Sequence, residues 1–262
     1  MNHTTNTSSK VTVLFDLDGT LTPPRGMISE RVINSLLVLN RFCEVGILSG
    51  SNYDYILEQI QPLIPLWNEK LHLLGRNGTQ YHIYKGSSNN FVKKSSVSMR
   101  EKCSNNYNEL VENLQLLQLL MQKEFKIPLT GTFIQYRGST VNWCPIGRSA
   151  SKEDRELFSN MDKQYDIRNK YLRMLKSILI KNDIENISVT LGGETSFDIY
   201  PKGWDKTYAL RFFNEVIFVG DRCQEGGNDF SICSHLKDKC FRTSGPDETC
   251  DIIKNILIPK IR

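Results

Sequence analysis

Two aspartates two residues apart, Asp16 and Asp18, close the apolar part of VTVLFDLDGTLT at residues 11–22. Carboxylates this close repel each other unless a cation lies between them. A second apolar run, VIFVGD, also ends in an acid, Asp221, and leads into GGND, which adds Asn228 and Asp229. Oxygen ligands of this kind suit Mg²⁺, which takes a few carboxylates and completes its shell with waters and phosphate oxygens. A lone D-x-D is more often a turn or helix-capping pair. With Thr20, the adjoining glycines and GD…GGND it points instead to magnesium and phosphate chemistry.

Ligands of open α/β sheets sit beyond the carboxyl ends of the strands, and both acid groups fall at such ends. VTVLFDL runs on without polar alternation, as a strand covered on both faces does. Helical spacing after a Ser N-cap covers 29–42, VGILSG reads as a strand and 51–61 as a second helix. HLLGRNGTQYHIY reads as a strand pair around an Asn-Gly turn. From residue 90 to 203 the pattern changes to a helix (107–123), a strand pair (132–144), a long charged helix (152–181) and strands at ISVTL and SFDIY. After Gly203 a helix at 206–213 and the strand VIFVGD restore the first pattern. The expected fold class is α/β: a Rossmann-like, doubly wound parallel-sheet core, 11–89 and 204–262, with an inserted α+β cap, 90–203, containing an antiparallel sheet.

Composition narrows the function classes. A formal charge of +4 over 262 residues, with no dense Lys/Arg block, gives no reason to expect nucleic acid. No apolar run approaches a membrane span, and the polar MNHTTNTSSK at 1–10 reads as a flexible tail rather than a signal peptide. Seven cysteines, odd in number and without a CxxC pair, speak against a disulfide framework and a zinc ribbon and suggest a reducing, cytoplasmic setting. LVENLQLLQLLM is expected to pack in the core, and His72 and His82 lack metal-ligand spacing.

Asp16-Leu17-Asp18-Gly19-Thr20 resembles the D-x-D-x-T signature of haloacid-dehalogenase-like phosphotransferases. Ser49 in LSGS, Lys206 in GWDK and Asp221…Asp229 resemble that superfamily's remaining motifs in chain order. Over residues 11–257 the chain is similar to eukaryotic-type phosphomannomutases, through FDLDGTLTPPR, GTFIQYR, PIGRS, DRELF, GGETSFDIYPKGWDK and FVGDRCQEGGND. The resemblance implies that Asp16 is the nucleophile, Asp18 the general acid and base, and Lys206 the stabiliser of nucleophile and transferring group. It implies magnesium on Asp16, the Asp18 carbonyl and Asp221, with Asn228 and Asp229 as weaker or outer ligands. Thr20 and either Ser49 or Ser51 would donate to the phosphoryl oxygens. Arg25 in the core loop, and Arg137, Arg148 and Arg155 in the cap, would hold phosphate through the guanidinium fork. Ser196 and Asp198 would meet phosphate or sugar hydroxyls.

The implied activity interconverts mannose 6-phosphate and mannose 1-phosphate, primed by a hexose 1,6-bisphosphate, in a homodimer formed through the caps. A sugar-phosphate phosphatase shares the same scaffold, and a non-catalytic sugar-phosphate sensor would have no need of Asp16 and Asp18 together. Against the family pattern, Arg76 reverses a usual acid, Asn52 replaces Asp, Arg222-Cys223 replaces Lys-Thr, and Glu194 stands where glutamine is frequent.

Overall fold

The computed structural model describes residues 11–184 and 186–262. The segment 1–10, expected to be a flexible tail, lies outside them. The chain begins β1 (Thr12–Phe15), α1 (Glu30–Leu39), β2 (Glu44–Leu48), α2 (Tyr53–Ile60), β3 (Lys70–Gly75), β4 (Gln80–Lys85) and β5 (Asn90–Ser96). There follow α3 (Met99–Cys103), α4 (Asn105–Phe125), β6 (Ile134–Tyr136), β7 (Val141–Trp143), α5 (Lys152–Tyr165), α6 (Ile167–Lys181), β8 (Ile187–Gly192) and β9 (Ser196–Pro201). It ends with β10 (Val216–Gly220), α7 (Phe230–Leu236), β11 (Cys240–Arg242) and α8 (Pro246–Ile252).

Two compact units result, one from the chain up to Ser96 joined by Gly203–Arg262, the other from Val97–Lys202. Among the described residues the first carries a seven-stranded sheet of order β11-β10-β1-β2-β3-β4-β5. The strands from β11 to β3 are parallel, and β4 and β5 are antiparallel. In β1, Val13 and Phe15 enter one apolar cluster with residues of α1, α2 and α8, and Leu14 enters another with Ala209, Phe218 and Ile232. Both faces are therefore covered, which is why β1 lacks polar alternation. Each fully buried Leu or Phe there contributes about 1.5–3 kcal/mol. Ser29 caps α1 through its Oγ, which accepts from the Val32 N–H.

The first boundary moves from residue 90 to 97. Residues 90–96, placed with the cap, form β5, which pairs with β4 as the sheet's edge. Lysines on such a strand discourage further pairing and hide its strand character in the sequence. The expected Asn-Gly hairpin turn is a four-residue loop, 76–79, between the paired Gly75 and Gln80, with Arg76, Asn77 and Gly78 all at positive φ (50°, 60° and 88°).

The second unit holds a four-stranded antiparallel sheet, β6-β7-β9-β8, with α4, α5 and α6. Trp143 is buried, stacks on Phe197 at 4.5 Å, and donates through Nε1 to Gln118 Oε1 at 2.7 Å. The charged helix expected over 152–181 is two helices, because Asp166 is left-handed at φ 51° and ψ 40°. Asp162 then accepts from the Arg168 backbone N–H at 2.7 Å and from Arg168 Nε at 2.6 Å, holding the corner. Of the leucine-rich α4, Leu110, Leu114, Leu117 and Met121 are buried, whereas Leu116, Leu119 and Leu120 are exposed, so only one stripe packs.

Two further expectations are corrected. The helix at 206–213 is a 3₁₀ segment, Lys206–Phe212, capped by Asp205. The cysteine count argued against disulfides, but Cys233 and Cys240 are bonded, since the short turn between α7 and β11 brings their Cα atoms to 5.1 Å. No helix is long and apolar enough to cross a membrane among the described residues.

Candidate active site

Four charged groups meet where β1 and β10 end. The Asp16 backbone N–H donates to Val219 O at 2.9 Å, fixing the residue at the sheet's rim. Lys206, fully buried at the start of its 3₁₀ turn, donates through Nζ to Asp16 Oδ1 at 2.6 Å and to Asp229 Oδ1. Asp229 Oδ2 accepts from the Arg222 backbone N–H at 3.1 Å. Both oxygens of Asp229 are thus engaged by the protein, which makes it the carboxylate that holds Lys206. Asn228 beside it is exposed.

One oxygen each of Asp16, Asp221 and Asp229 lies within 4.8 Å of the others. Three carboxylates facing one ammonium leave an excess of negative charge. Burial pushes the Asp16 carboxyl up while the Lys206 ammonium opposes it, and Asp229 adds to the rise. Asp221 is raised by burial and by Asp229. Burial would lower Lys206, but Asp16 and Asp229 outweigh it and raise the ammonium. Asp221 Oδ1 is buried without a partner, and so is Thr20 Oγ1. An orphaned carboxylate oxygen in an oxygen-only set with surplus negative charge fits a hard divalent cation, and the orphaned Thr20 hydroxyl, in the turn that follows Asp16, fits an anion that the cation carries.

The chain makes room for this by leaving side chains out. Gly19 has φ +80°, and a Cβ there would stand 2.5 Å from Asp221 Oδ2. Only glycine lets the turn after Asp18 pass under Asp221.

Asp18 lies outside the cluster. Its Oδ1 accepts from the Arg25 backbone N–H at 2.8 Å, from the Tyr55 hydroxyl at 2.9 Å and from Gln59 Nε2 at 3.2 Å. Arg25 reaches it because its backbone is left-handed, φ 59°, and its side chain is exposed. Tyr55 and Gln59 went unnoticed in the sequence; the signal was two polar residues four apart on one face of YDYILEQI.

Ser49 is buried at the end of β2, and its Oγ accepts from the Ser51 N–H at 3.1 Å; Ser51 is half-buried. The left-handed turn after β3 holds this loop, with Arg76 N donating to Ser51 O (2.7 Å) and Asn77 N to Ser49 O (2.8 Å). Asn52 caps α2 through Oδ1, which accepts from Tyr55 N, so the change from Asp keeps the cap. Cys223, Cys233 and Cys240 gather beside the Asp221 loop, with Cys223 Sγ 3.7 Å from Cys240 Sγ. Burial and the nearby Asp229 push the Cys223 thiol up to about 12.

In the inserted unit the expected residues divide. Asp198 Oδ1 accepts from Asn142 Nδ2 at 2.8 Å across the β7–β9 pair, and Ser196 Oγ donates to Gly192 O at 2.7 Å. Asn142 is 1% exposed, and its Oδ1 has no partner, like Ser139 Oγ. These two polar groups were also missed; the polar residue inside the buried run VNW was the signal. Arg137 is half-buried, with Nε donating to Gln135 Oε1 at 3.0 Å. Arg148 is exposed. Arg155 is half-buried and pairs with no acid among the described residues; it donates to Ala150 O (3.1 Å), Arg148 O (2.9 Å) and Thr195 Oγ1 (3.3 Å). It braces the loop that displays Arg148.

Solved structures share this architecture at low identity. The inosine-monophosphate (IMP) nucleotidase of Plasmodium falciparum, truncated at its N-terminus and bound to IMP, superposes with TM-score 0.64 at 14% identity, covering 95% of this chain and 68% of that one. A haloacid dehalogenase-like hydrolase from Bacteroides thetaiotaomicron gives TM-score 0.54 at 15% identity, covering 94% and 99%. Such likeness speaks to the fold. In sequence, the phosphomannomutase of Saccharomyces cerevisiae is 35% identical over 252 residues, 93% of each chain. That of Glycine max is 32% identical over 248 residues, 94% of this chain and 95% of the relative. The sequence model of the eukaryotic phosphomannomutases matches residues 32–259. The chain belongs to the eukaryotic phosphomannomutase family of enzymes.

Proposed function

We propose that the protein is a phosphomannomutase that interconverts D-mannose 6-phosphate and α-D-mannose 1-phosphate through an aspartyl phosphate on Asp16. The observation that carries this reading is the Asp16–Lys206–Asp229 ion cluster beside Asp221, whose Oδ1 is orphaned, on a chain of this family. Asp16 attacks a phosphoryl group of a hexose 1,6-bisphosphate primer. The new bond is from Asp16 to phosphorus, the bond that breaks is from phosphorus to the sugar oxygen, and Asp18 gives that oxygen its proton. The return step reverses each: a sugar-phosphate hydroxyl attacks phosphorus, Asp18 takes its proton, and the Asp16 bond opens. Lys206 favours the charged form of Asp16 against its burial and meets the transferring group, and Asp229 keeps Lys206 in place. The Thr20 hydroxyl, together with Ser49 or Ser51, donates to the phosphoryl oxygens. Asp16, Asp221 and the Asp18 carbonyl would hold Mg²⁺, which lowers the repulsion between an anionic nucleophile and an anionic phosphate.

In the inserted unit, Arg137 and Arg148 bind the phosphate that is not reacting. Arg155 acts by holding the Arg148 loop. Asp198 and Ser196 meet phosphate or sugar hydroxyls, and Asn142 Nδ2 holds Asp198 Oδ1. The same reading includes a cytoplasmic homodimer that feeds GDP-mannose synthesis, its interface drawing on the exposed Leu116, Leu119 and Leu120 of α4.

The test is a coupled assay with mannose 1-phosphate, Mg²⁺ and catalytic glucose 1,6-bisphosphate, following mannose 6-phosphate and free phosphate together. Mannose 6-phosphate that depends on the primer is the expected product. Free phosphate without isomerisation would mean a phosphatase, and silence with intact sugar-phosphate binding a sensor.

A further inference from the structure

Asp18 Oδ1 is saturated by three donors, of which two come from one helix face. Tyr55 and Gln59 stand four residues apart on α2, and both aim at the same oxygen, at 2.9 and 3.2 Å. The third is the Arg25 backbone N–H. Each donor is itself fixed. Gln59 is 3% exposed, its Oε1 accepts from Thr22 Oγ1 at 2.6 Å and its backbone carbonyl from Ile28 N at 2.9 Å. Tyr55 starts from the turn capped by Asn52. A carboxylate oxygen that accepts three hydrogen bonds has no direction left for proton traffic. Asp18 Oδ2 is then the atom that carries the proton.

Resting on the mutase reading of Asp18 as acid and base, we infer that Tyr55 is a positioning residue for its proton transfer. The phenol hydroxyl stops the Asp18 carboxylate from turning about its Cβ–Cγ bond, so that Oδ2 stays aimed at the sugar oxygen and Oδ1 stays tied to α2. The hydroxyl is the donor of this pair, since an ionised carboxylate oxygen can only accept. Tyr55 touches neither the Asp16–Lys206–Asp229 cluster nor Asp221 through any hydrogen bond among the described residues, so its effect passes through Asp18.

The experiment is a double-variant cycle in the full-length protein, with Tyr55→Phe, Asp18→Asn and the pair, measuring kcat and KM for mannose 1-phosphate, the Mg²⁺ activation constant and Tm. Tyr55→Phe is expected to lower kcat about tenfold or more, the size found when a group that orients a reacting side chain is lost. KM, the Mg²⁺ constant and Tm should stay within about twofold or a few degrees. On the Asp18→Asn background the Phe change should add nothing, because its only route is gone. A loss of equal size on both backgrounds, or kcat unchanged in Tyr55→Phe, overturns the positioning role. If Asp18→Asn itself is as active as the parent, the reading of Asp18 fails, which is a separate result. Should the Phe variant fail to fold, 3-fluorotyrosine at position 55 keeps shape while acidifying the donor. Its kcat should then change with KM fixed, and an unchanged kcat would overturn the inference.

Discussion

Gly19 and Asp221 approach so closely that a Cβ on Gly19 would lie 2.5 Å from Asp221 Oδ2. They are some two hundred residues apart in sequence, and the contact joins the two strand-end motifs. Gly19→Ala must both push Asp221 aside and hold φ +80°, a conformation that costs a non-glycine residue about 1–3 kcal/mol. The expected result is a fall in Tm of several degrees and a rise of at least about tenfold in the Mg²⁺ needed for half activity. Thermal melts with and without Mg²⁺, set beside a metal titration, check both.

Lys206 is the only positive group bonded within the cluster among the described residues. Removing it leaves Asp16 and Asp229 buried and unpaired, which destabilises a fold by about 3–5 kcal/mol. Lys206→Met should therefore lower stability in urea, and adding Asp229→Asn should recover part of that loss without restoring activity. Equal stability of Lys206→Met and the parent would mean that the cluster is solvated.

Arg148 and Arg155 should separate cleanly. Arg148 is exposed, so Arg148→Ala is expected to raise KM while Tm holds. Arg155 ties three loop acceptors together, and Arg155→Ala should lower Tm as well, by the equivalent of about 1–3 kcal/mol. Paired melts and Michaelis curves decide between a brace and a contact.

His72 makes stability depend on pH. Its Nδ1 faces the Tyr81 hydroxyl at 2.8 Å and its Nε2 faces Glu44 at 3.1 Å; the carboxylate can only accept, so Nε2 carries the hydrogen of the neutral ring. Burial lowers the ring's pKa from 6.5, although Glu44 works in the opposite direction. Below 6.5 the unfolded chain binds a proton that the folded chain resists, so stability falls as pH drops through that value. Glu44 acts lower down: burial raises it, but the Lys70 and His72 contacts prevail, so its contribution is lost below 4.5. Urea midpoints from pH 7.5 to 5 should fall in the parent and be flatter in His72→Gln.

The parts of the site that were legible in the sequence are those that local chemistry dictates. Asp16, Asp221 and Lys206 sit at strand ends and turn starts with neighbours of fixed type, and their motifs state their position. Tyr55, Gln59 and Asn142 were not legible because each acts through a partner distant in sequence, and a tyrosine on an amphipathic helix looks like any surface residue. The core sheet could be read from β1, β2 and β10, whose apolar runs need two covered faces. The edge strand β5 could not, since Lys93 and Lys94 give it the composition of a linker. Cys233 and Cys240 illustrate the same limit, because parity and spacing say nothing about a turn that brings two helix and strand ends together.

The most direct test is to find the phosphoryl group. The full-length protein is mixed with Mg²⁺ and glucose 1,6-bisphosphate, quenched in acid within the first turnovers, and digested in acid with pepsin, so that the acyl phosphate survives and the peptide carrying Asp16 is found by its mass. A gain of one phosphoryl group on Asp16, absent from Asp16→Asn and discharged by added mannose 1-phosphate, is the expected result. Phosphate on any other residue, or none while the sugar is isomerised, would contradict the aspartyl-phosphate mechanism.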